Sequence, residues 1–68
     1  MQIQLNGEDF TLDEGATAAD LVNTLQLGEK RIAMEVNLEI LPRSQYGEHP
    51  LQEGDRVEIV HAIGGGCR

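Results

Sequence analysis

Residues 2–13 read Gln-Ile-Gln-Leu-Asn-Gly-Glu-Asp-Phe-Thr-Leu-Asp, and this stretch decides which kind of fold the chain can form. Apolar and polar residues alternate on both sides of Asn6-Gly7, which is the pattern expected for two half-buried strands. Asn tolerates a positive φ and Gly adopts one without steric cost, so the dipeptide predicts a tight hairpin turn. The first predicted element is therefore a β-hairpin.

A helix is predicted next, because the apolar period lengthens after Gly15. Thr17 is a candidate N-cap, and Asp20 lies three residues further on, an arrangement that resembles a capping box. The apolar residues that follow share one helical face: Ala18, Leu21, Val22 and Leu25. The pattern predicts a helix of roughly ten residues, with Gly28 as the left-handed residue at its end.

Two more strands are predicted by alternation, one through Met34 and the other from Val57 towards Ile63. Residues 43–50 are typical of a loop that can include a short turn of helix. Leu51 is expected to point inward, and residues 53–55 are expected to form a turn. The order hairpin, helix, strand, loop, strand predicts an α+β fold. We expect a mixed sheet of four to five strands with one main helix packed on one face.

The length of 68 residues predicts a single domain over residues 1–63, followed by a tail over residues 64–68. So small a domain buries only about 60% of its unfolded-chain surface, which leaves little room for an enclosed active site. We therefore expect no enzyme and no catalytic residues. Three consecutive glycines lose much entropy on ordering, so the tail is expected to be flexible.

The net charge of −7 and the presence of only two aromatic residues argue against nucleic acid and membranes as partners. Two explanations of the acidity stay open, attraction of a basic protein partner and simple solubility.

The single cysteine cannot form an internal disulfide, and no signal peptide is evident at Met1. A cytoplasmic protein is expected.

Metal binding and cofactor chemistry are not expected. The candidate ligands His49, His61 and Cys67 do not match a zinc-ligand spacing. Nothing would hold a base near Cys67 on a flexible tail, so a catalytic cysteine is not expected either.

The glycine tail is the strongest functional candidate, because a segment without side chains can enter a narrow channel in another protein. Strand parity places Val57 and Ile59 towards the helix and Val60 and Ala62 on the open face. We expect Val60, Ala62 and Ile63 to dock a partner. The alternative is that they are ordinary exposed aliphatic residues.

Four segments resemble the ThiS family, the sulfur carriers of thiamine biosynthesis within the ubiquitin-like β-grasp fold. They are residues 33–37 (AMEVN), 42–44 (PRS), 51–60 (LQEGDRVEIV) and 62–66 (AIGGG). The first two are the more specific. The turn in the third segment and the glycine end also occur in wider β-grasp relatives, including the sulfur carrier of molybdopterin synthase.

The resemblance implies that Gly66 is the reactive residue and that Gly64 and Gly65 form the segment that enters the partner. A ThiF-like enzyme would adenylate the Gly66 carboxylate, sulfur would displace AMP, and the thiocarboxylate would pass its sulfur to a ThiG-like thiazole synthase. Two alternatives stay open: a carrier for molybdopterin or another thiocarboxylate-dependent pathway, and a ubiquitin-like protein modifier.

Cys67-Arg68 departs from the family pattern, because the Gly66 carbonyl is tied up in an amide bond to Cys67. The favoured explanation is a precursor extension removed by a processing peptidase. The other two are an addition left by cloning and a persulfide carried by the Cys67 thiol itself.

Overall fold

The computed structural model describes residues 1–61, and Ala62, Ile63 and the predicted tail at 64–68 lie outside the described residues. The elements follow in chain order as β1 (Gln2–Leu5), β2 (Glu8–Thr11), α1 (Ala18–Thr24), β3 (Ile32–Val36), β4 (Glu39–Leu41), a 3₁₀ helix (Arg43–Glu48) and β5 (Arg56–His61).

The five strands form one mixed sheet in the order β2-β1-β5-β3-β4. Only the β1–β5 pair is parallel. The prediction of a mixed sheet with one main helix is confirmed. β5 lies at the centre, so the strand that leads towards the glycine residues is paired on both sides.

The predicted hairpin is confirmed. Asn6 and Gly7 have φ values of 52° and 84°, so both turn residues adopt the left-handed backbone of a type I′ turn. Ile3 pairs with Phe10 across the two strands. Ile3 is almost fully buried and Phe10 is half-buried, so the alternation seen in the sequence directs one face of the hairpin into the core.

The start of α1 is confirmed as a capping box. The Asp20 N–H donates to Thr17 Oγ1 at 3.2 Å, and the Thr17 N–H donates to Asp20 Oδ2 at 2.9 Å. These bonds satisfy two amide groups that a helix start leaves without intrahelical partners. Ala18, Leu21 and Val22 are buried as predicted.

The predicted end of α1 is wrong. The helix has seven residues, and the left-handed residue is Gln26, with φ of 60°, rather than Gly28. The Leu27 N–H donates to the Val22 carbonyl at 2.9 Å and the Gln26 N–H to the Asn23 carbonyl at 3.0 Å. These two bonds form a Schellman motif, which brings Leu27 back against the core and ends the helix before the glycine.

A second two-residue hairpin joins β3 to β4, and its turn residues Asn37 and Leu38 have φ values of 54° and 71°. Leu38 thus adopts a backbone conformation that bulky residues rarely take. The sequence did not predict this turn, because it lacks the glycine that normally marks one.

The core lies between the sheet and α1. Its most completely buried large side chains are Ile3, Leu21, Met34 and Val57. Leu51 is 3% exposed, so its predicted inward position is confirmed. The stretch predicted as a loop after Pro42 forms the 3₁₀ helix, which packs against α1 and buries Tyr46.

Candidate functional site

The alternation predicted for β5 is present in the structure. Val57 is 0% and Ile59 is 7% exposed, whereas Val60 is 60% exposed on the face away from α1. Of the three predicted docking residues, Val60 alone is described. Ala62 and Ile63, together with Gly64, Gly65 and Gly66, lie outside the described residues.

The last residues of β5 are hydrogen-bonded on both sides. Towards β3, His61 pairs with Ile32. On the other side, the Asn6 side chain continues the ladder that β1 begins, since Asn6 Oδ1 accepts from the Ile59 N–H at 2.9 Å. Asn6 Nδ2 donates to the Ile59 carbonyl at 3.2 Å. Asn6 therefore fixes the strand just before Val60, in addition to forming the turn that the sequence predicted.

The open face of the sheet carries an apolar group beside a pair of carboxylates. Val60 on β5 lies opposite Ala33 on β3. One step along the same face, Glu58 lies opposite Glu35, which in turn lies opposite Ile40 on β4. Ile40 is 75% exposed, although it is a large aliphatic residue. Sequence reasoning identified Val60 but missed the other members, because their proximity depends on strand register.

Asn37, in one of the two most specific sequence segments, links two turns of the fold. Its Oδ1 accepts from the Arg56 N–H at 3.0 Å, and its Nδ2 donates to Asp55 Oδ1 at 3.1 Å. The Asn37 N–H also donates to the Arg56 carbonyl at 2.7 Å. The residue therefore joins the β3–β4 hairpin to the start of β5, and its role in the described structure is architectural.

Arg43, in the other specific segment, holds the loop between α1 and β3. Its guanidinium group donates to the carbonyls of Gly28 and Lys30. The planar fork of arginine reaches both oxygens at once, which a single ammonium group could not do with the same geometry. This contact gives Gly28 a structural role other than the predicted helix end.

Catalytic groups are not assembled in the described part of the chain. Apart from Tyr46, no polar or charged residue among residues 1–61 is buried. No three His, Cys, Asp or Glu residues in that range are placed to hold a metal ion. Burial raises the pKa of Tyr46, and the nearby Arg43 charge acts in the opposite direction. Tyr46 lies on the helix side of the sheet, away from Val60.

The helices in the described residues are too short or too polar to cross a membrane. The described chain presents a central strand that is hydrogen-bonded on both sides, with an apolar and acidic surface beside its last residues. An exposed apolar surface of this kind is typical of a protein-binding site.

A mixed sheet covered on one face by a single helix, with the last strand at its centre, defines this chain as a ubiquitin-like β-grasp protein. The crystal structure of a thiamine biosynthesis protein (ThiS) from Geobacter metallireducens superposes with a TM-score of 0.83. It is 29% identical and covers 97% of this chain and 100% of its own. The ThiS family model matches residues 3–66. The chain belongs to the ThiS family.

Two curated relatives differ greatly in length. The sulfur carrier protein ThiS of Bacillus subtilis (strain 168) is 42% identical over 66 residues, which cover 94% of this chain and 98% of the relative. A thiazole synthase of Magnetococcus marinus is 41% identical over 66 residues, which cover 97% of this chain. The chain spans only 20% of the length of that synthase.

Proposed function

We propose that this chain is a sulfur carrier protein of thiamine biosynthesis and that its reactive group is the carboxylate of Gly66. The observation that carries the proposal is the family match, which runs through the three glycines and stops at Gly66. The Bacillus subtilis relative, of nearly the same length, is a sulfur carrier protein.

The chemistry starts from a carboxylate, which is a poor electrophile. An adenylating enzyme of the ThiF type joins the Gly66 carboxylate to the AMP part of ATP and releases pyrophosphate. Sulfur at the oxidation level of sulfide then attacks the activated carbonyl carbon and displaces AMP. The resulting thiocarboxylate is a soft nucleophile that donates its sulfur to the thiazole ring.

The carrier takes part as a substrate and not as a catalyst. Supporting this, no charged side chain of the described residues is buried, and the buried Tyr46 lies on the helix side of the sheet, away from Val60. The partner enzymes therefore supply the catalytic groups. The carrier supplies the folded body at 1–61 and the glycine segment, in which Gly64 and Gly65 enter the partner.

The reaction requires removal of Cys67-Arg68. The Gly66 carbonyl is bonded to the Cys67 nitrogen, and an amide carbonyl cannot be adenylated. Both residues lie beyond the matched range of the family model. A processing peptidase that cuts after Gly66 is therefore a further partner.

Two enzymes are the principal partners, a ThiF-like adenylating enzyme and a ThiG-like thiazole synthase. The thiazole synthase partner is supported by two thiazole synthases, from Magnetococcus marinus and Paramagnetospirillum magneticum. Each contains a segment similar to this chain within a longer protein.

Docking uses Val60, Ala62 and Ile63 beside the tail. The single cysteine suits the reducing cytoplasm, where we place the reaction.

The mass of the intact protein, purified from its natural host during active thiazole synthesis, tests the proposal. The expected mass lacks Cys67-Arg68 and has one oxygen replaced by sulfur. A host strain without the adenylating enzyme is the control and should yield the trimmed carboxylate form. A full-length mass in both strains contradicts the proposal, and lysine adducts on other proteins would indicate a protein modifier instead.

Substitution of Val60 by Asp tests the docking surface separately. A buried charge in an apolar contact is costly, so we expect V60D to slow adenylation by tenfold or more. Thr11→Asp is the matched control, because Thr11 is exposed on the same sheet face but on the edge strand β2. Adenylation of V60D at the wild-type rate would show that Val60 is not at the interface.

A further inference from the structure

Glu35 and Glu58 place two like charges face to face on neighbouring strands. The two residues are direct partners in the antiparallel β3–β5 register. Their neighbours Met34, Val36, Val57 and Ile59 are all buried against the helix side, so both carboxylates project from the open face. Directly opposed residues have Cβ atoms roughly 5 Å apart, and like charges in such a pair destabilise a sheet.

Within residues 1–61, neither carboxylate forms an ion pair with a lysine, arginine or histidine. Arg56 lies on the same face, two residues before Glu58, but the two form no ion pair. In the isolated protein, repulsion between Glu35 and Glu58 therefore destabilises the β3–β5 pair. A neutral residue at either position would remove this repulsion.

Apolar residues flank the carboxylate pair on two sides. Val60 follows Glu58 on β5, Ala33 precedes Glu35 on β3, and Ile40 flanks Glu35 from β4. Val60 and Ile40 are 60% and 75% exposed. The other half of the open face, formed by β1 and β2, is polar. Paired carboxylates with exposed apolar residues beside them suit an interface in which an arginine of the partner is enclosed by apolar contacts.

We propose that this surface binds the adenylating enzyme, which inserts one arginine or lysine side chain between Glu35 and Glu58 and covers Val60, Ala33 and Ile40 with apolar residues. The inference rests on the proposed function, and it specifies that the partner's surface carries a cationic side chain among apolar residues. The overall charge of −7 favours the same kind of partner, since it attracts a basic surface and speeds the encounter.

The double variant Glu35→Gln/Glu58→Gln tests the proposal without changing side-chain size. Its matched control is Glu8→Gln/Glu48→Gln, which changes the net charge equally at exposed sites on β2 and the 3₁₀ helix. Each protein is purified from its host, and its Kd for the adenylating enzyme of the same host is measured at about 50 mM and 500 mM salt. The midpoint of thermal unfolding, Tm, is measured in parallel.

We expect E35Q/E58Q to weaken binding by tenfold or more at low salt, the contribution of one charge-assisted hydrogen bond. The difference from wild type should shrink at high salt because the lost interaction is partly exposed. The same variant should have a higher Tm than wild type, because the internal repulsion is gone. Higher Tm together with weaker binding separates recognition from a structural role.

The proposal is overturned if E35Q/E58Q binds as tightly as the E8Q/E48Q control. It is also overturned if its Tm falls, since weaker binding would then follow from a damaged fold. If the wild-type protein and both variants bind but none is ever adenylated after trimming at Gly66, the proposed function fails instead. If the wild-type protein does not bind the enzyme at all, both fail together.

Discussion

Asn37 offers the most direct test of what stabilises the fold. Its side-chain hydrogen bonds and its positive φ both affect the free energy of unfolding, and two substitutions separate these effects. Its side chain makes two hydrogen bonds to the start of β5, and its backbone has φ of 54°. Asn37→Gly removes the hydrogen bonds but keeps a residue that accepts positive φ. Asn37→Ala removes the hydrogen bonds and also introduces a residue that disfavours this conformation.

The magnitudes follow from these contacts. Each exposed hydrogen bond contributes about 0.5–1 kcal/mol, so N37G should lower the free energy of unfolding by about 1–2 kcal/mol. Alanine in the left-handed region costs about 1 kcal/mol more, so N37A should lose about 2–3 kcal/mol. A domain of this size has roughly 3–10 kcal/mol of stability in total, so N37A removes a large part of it.

Urea titrations followed by circular dichroism give the free energies, and thermal unfolding gives an independent measure. Each kcal/mol should lower Tm by about 4–8 °C in a domain of this length. An N37G protein within about 0.5 kcal/mol of wild type would refute the role of the side-chain bonds. An N37A protein as stable as N37G would refute the argument from backbone strain.

Three further outcomes are expected. Leu38→Gly should raise the free energy of unfolding by about 0.5–1 kcal/mol in urea titrations, because glycine relieves the positive φ and the lost side chain is 72% exposed; no gain would contradict this. Arg43→Lys should cost about 1 kcal/mol, since one of the two bonds to the α1–β3 loop is lost, whereas the control Arg31→Lys should be neutral. Burial raises the pKa of Tyr46, so the folded state holds the phenol proton more tightly than the unfolded state does. The stability that this contributes should be complete below about pH 10 and decline as the pH rises through the unfolded and then the folded pKa. Tyr46→Phe should remove that decline in the free energy of unfolding.

The elements that the sequence predicted best are those specified by neighbouring residues. The Asn6-Gly7 turn, the Thr17–Asp20 capping box and the alternation around Val57 all arise within a few positions of the chain. The physical reason is that turn φ angles, helix caps and strand faces depend on local backbone geometry. These features were enough to predict the layers of the fold.

The wrong helix end and the unpredicted β3–β4 turn have a common cause, which is that contacts of neighbouring residues can hold an unfavoured residue in the left-handed region. Gln26 rather than Gly28 ends α1, because Leu27 packs back on the core. Leu38 occupies a turn position where glycine is favoured. Local propensity predicts neither residue, since the cost of each conformation is offset by contacts made elsewhere in the fold.

The contacts that position the candidate site were not predictable from spacing. Asn6 and Ile59 are 53 positions apart, and the two-way hydrogen bonding between them depends on the parallel pairing of β1 and β5. Glu35 and Glu58 are opposed only because β3 and β5 adopt one register, and a shift by one residue would turn one of them into the core.

By itself, the sequence determined the α+β class, the faces of the strands and the glycine segment that ends at Gly66, because composition and local periodicity are properties of the chain. The tertiary structure alone decided that β5 lies at the centre of the sheet and that a carboxylate pair lies between Val60 on β5 and Ile40 on β4. The reason is that strand order and register are set by the packing of distant segments against one core.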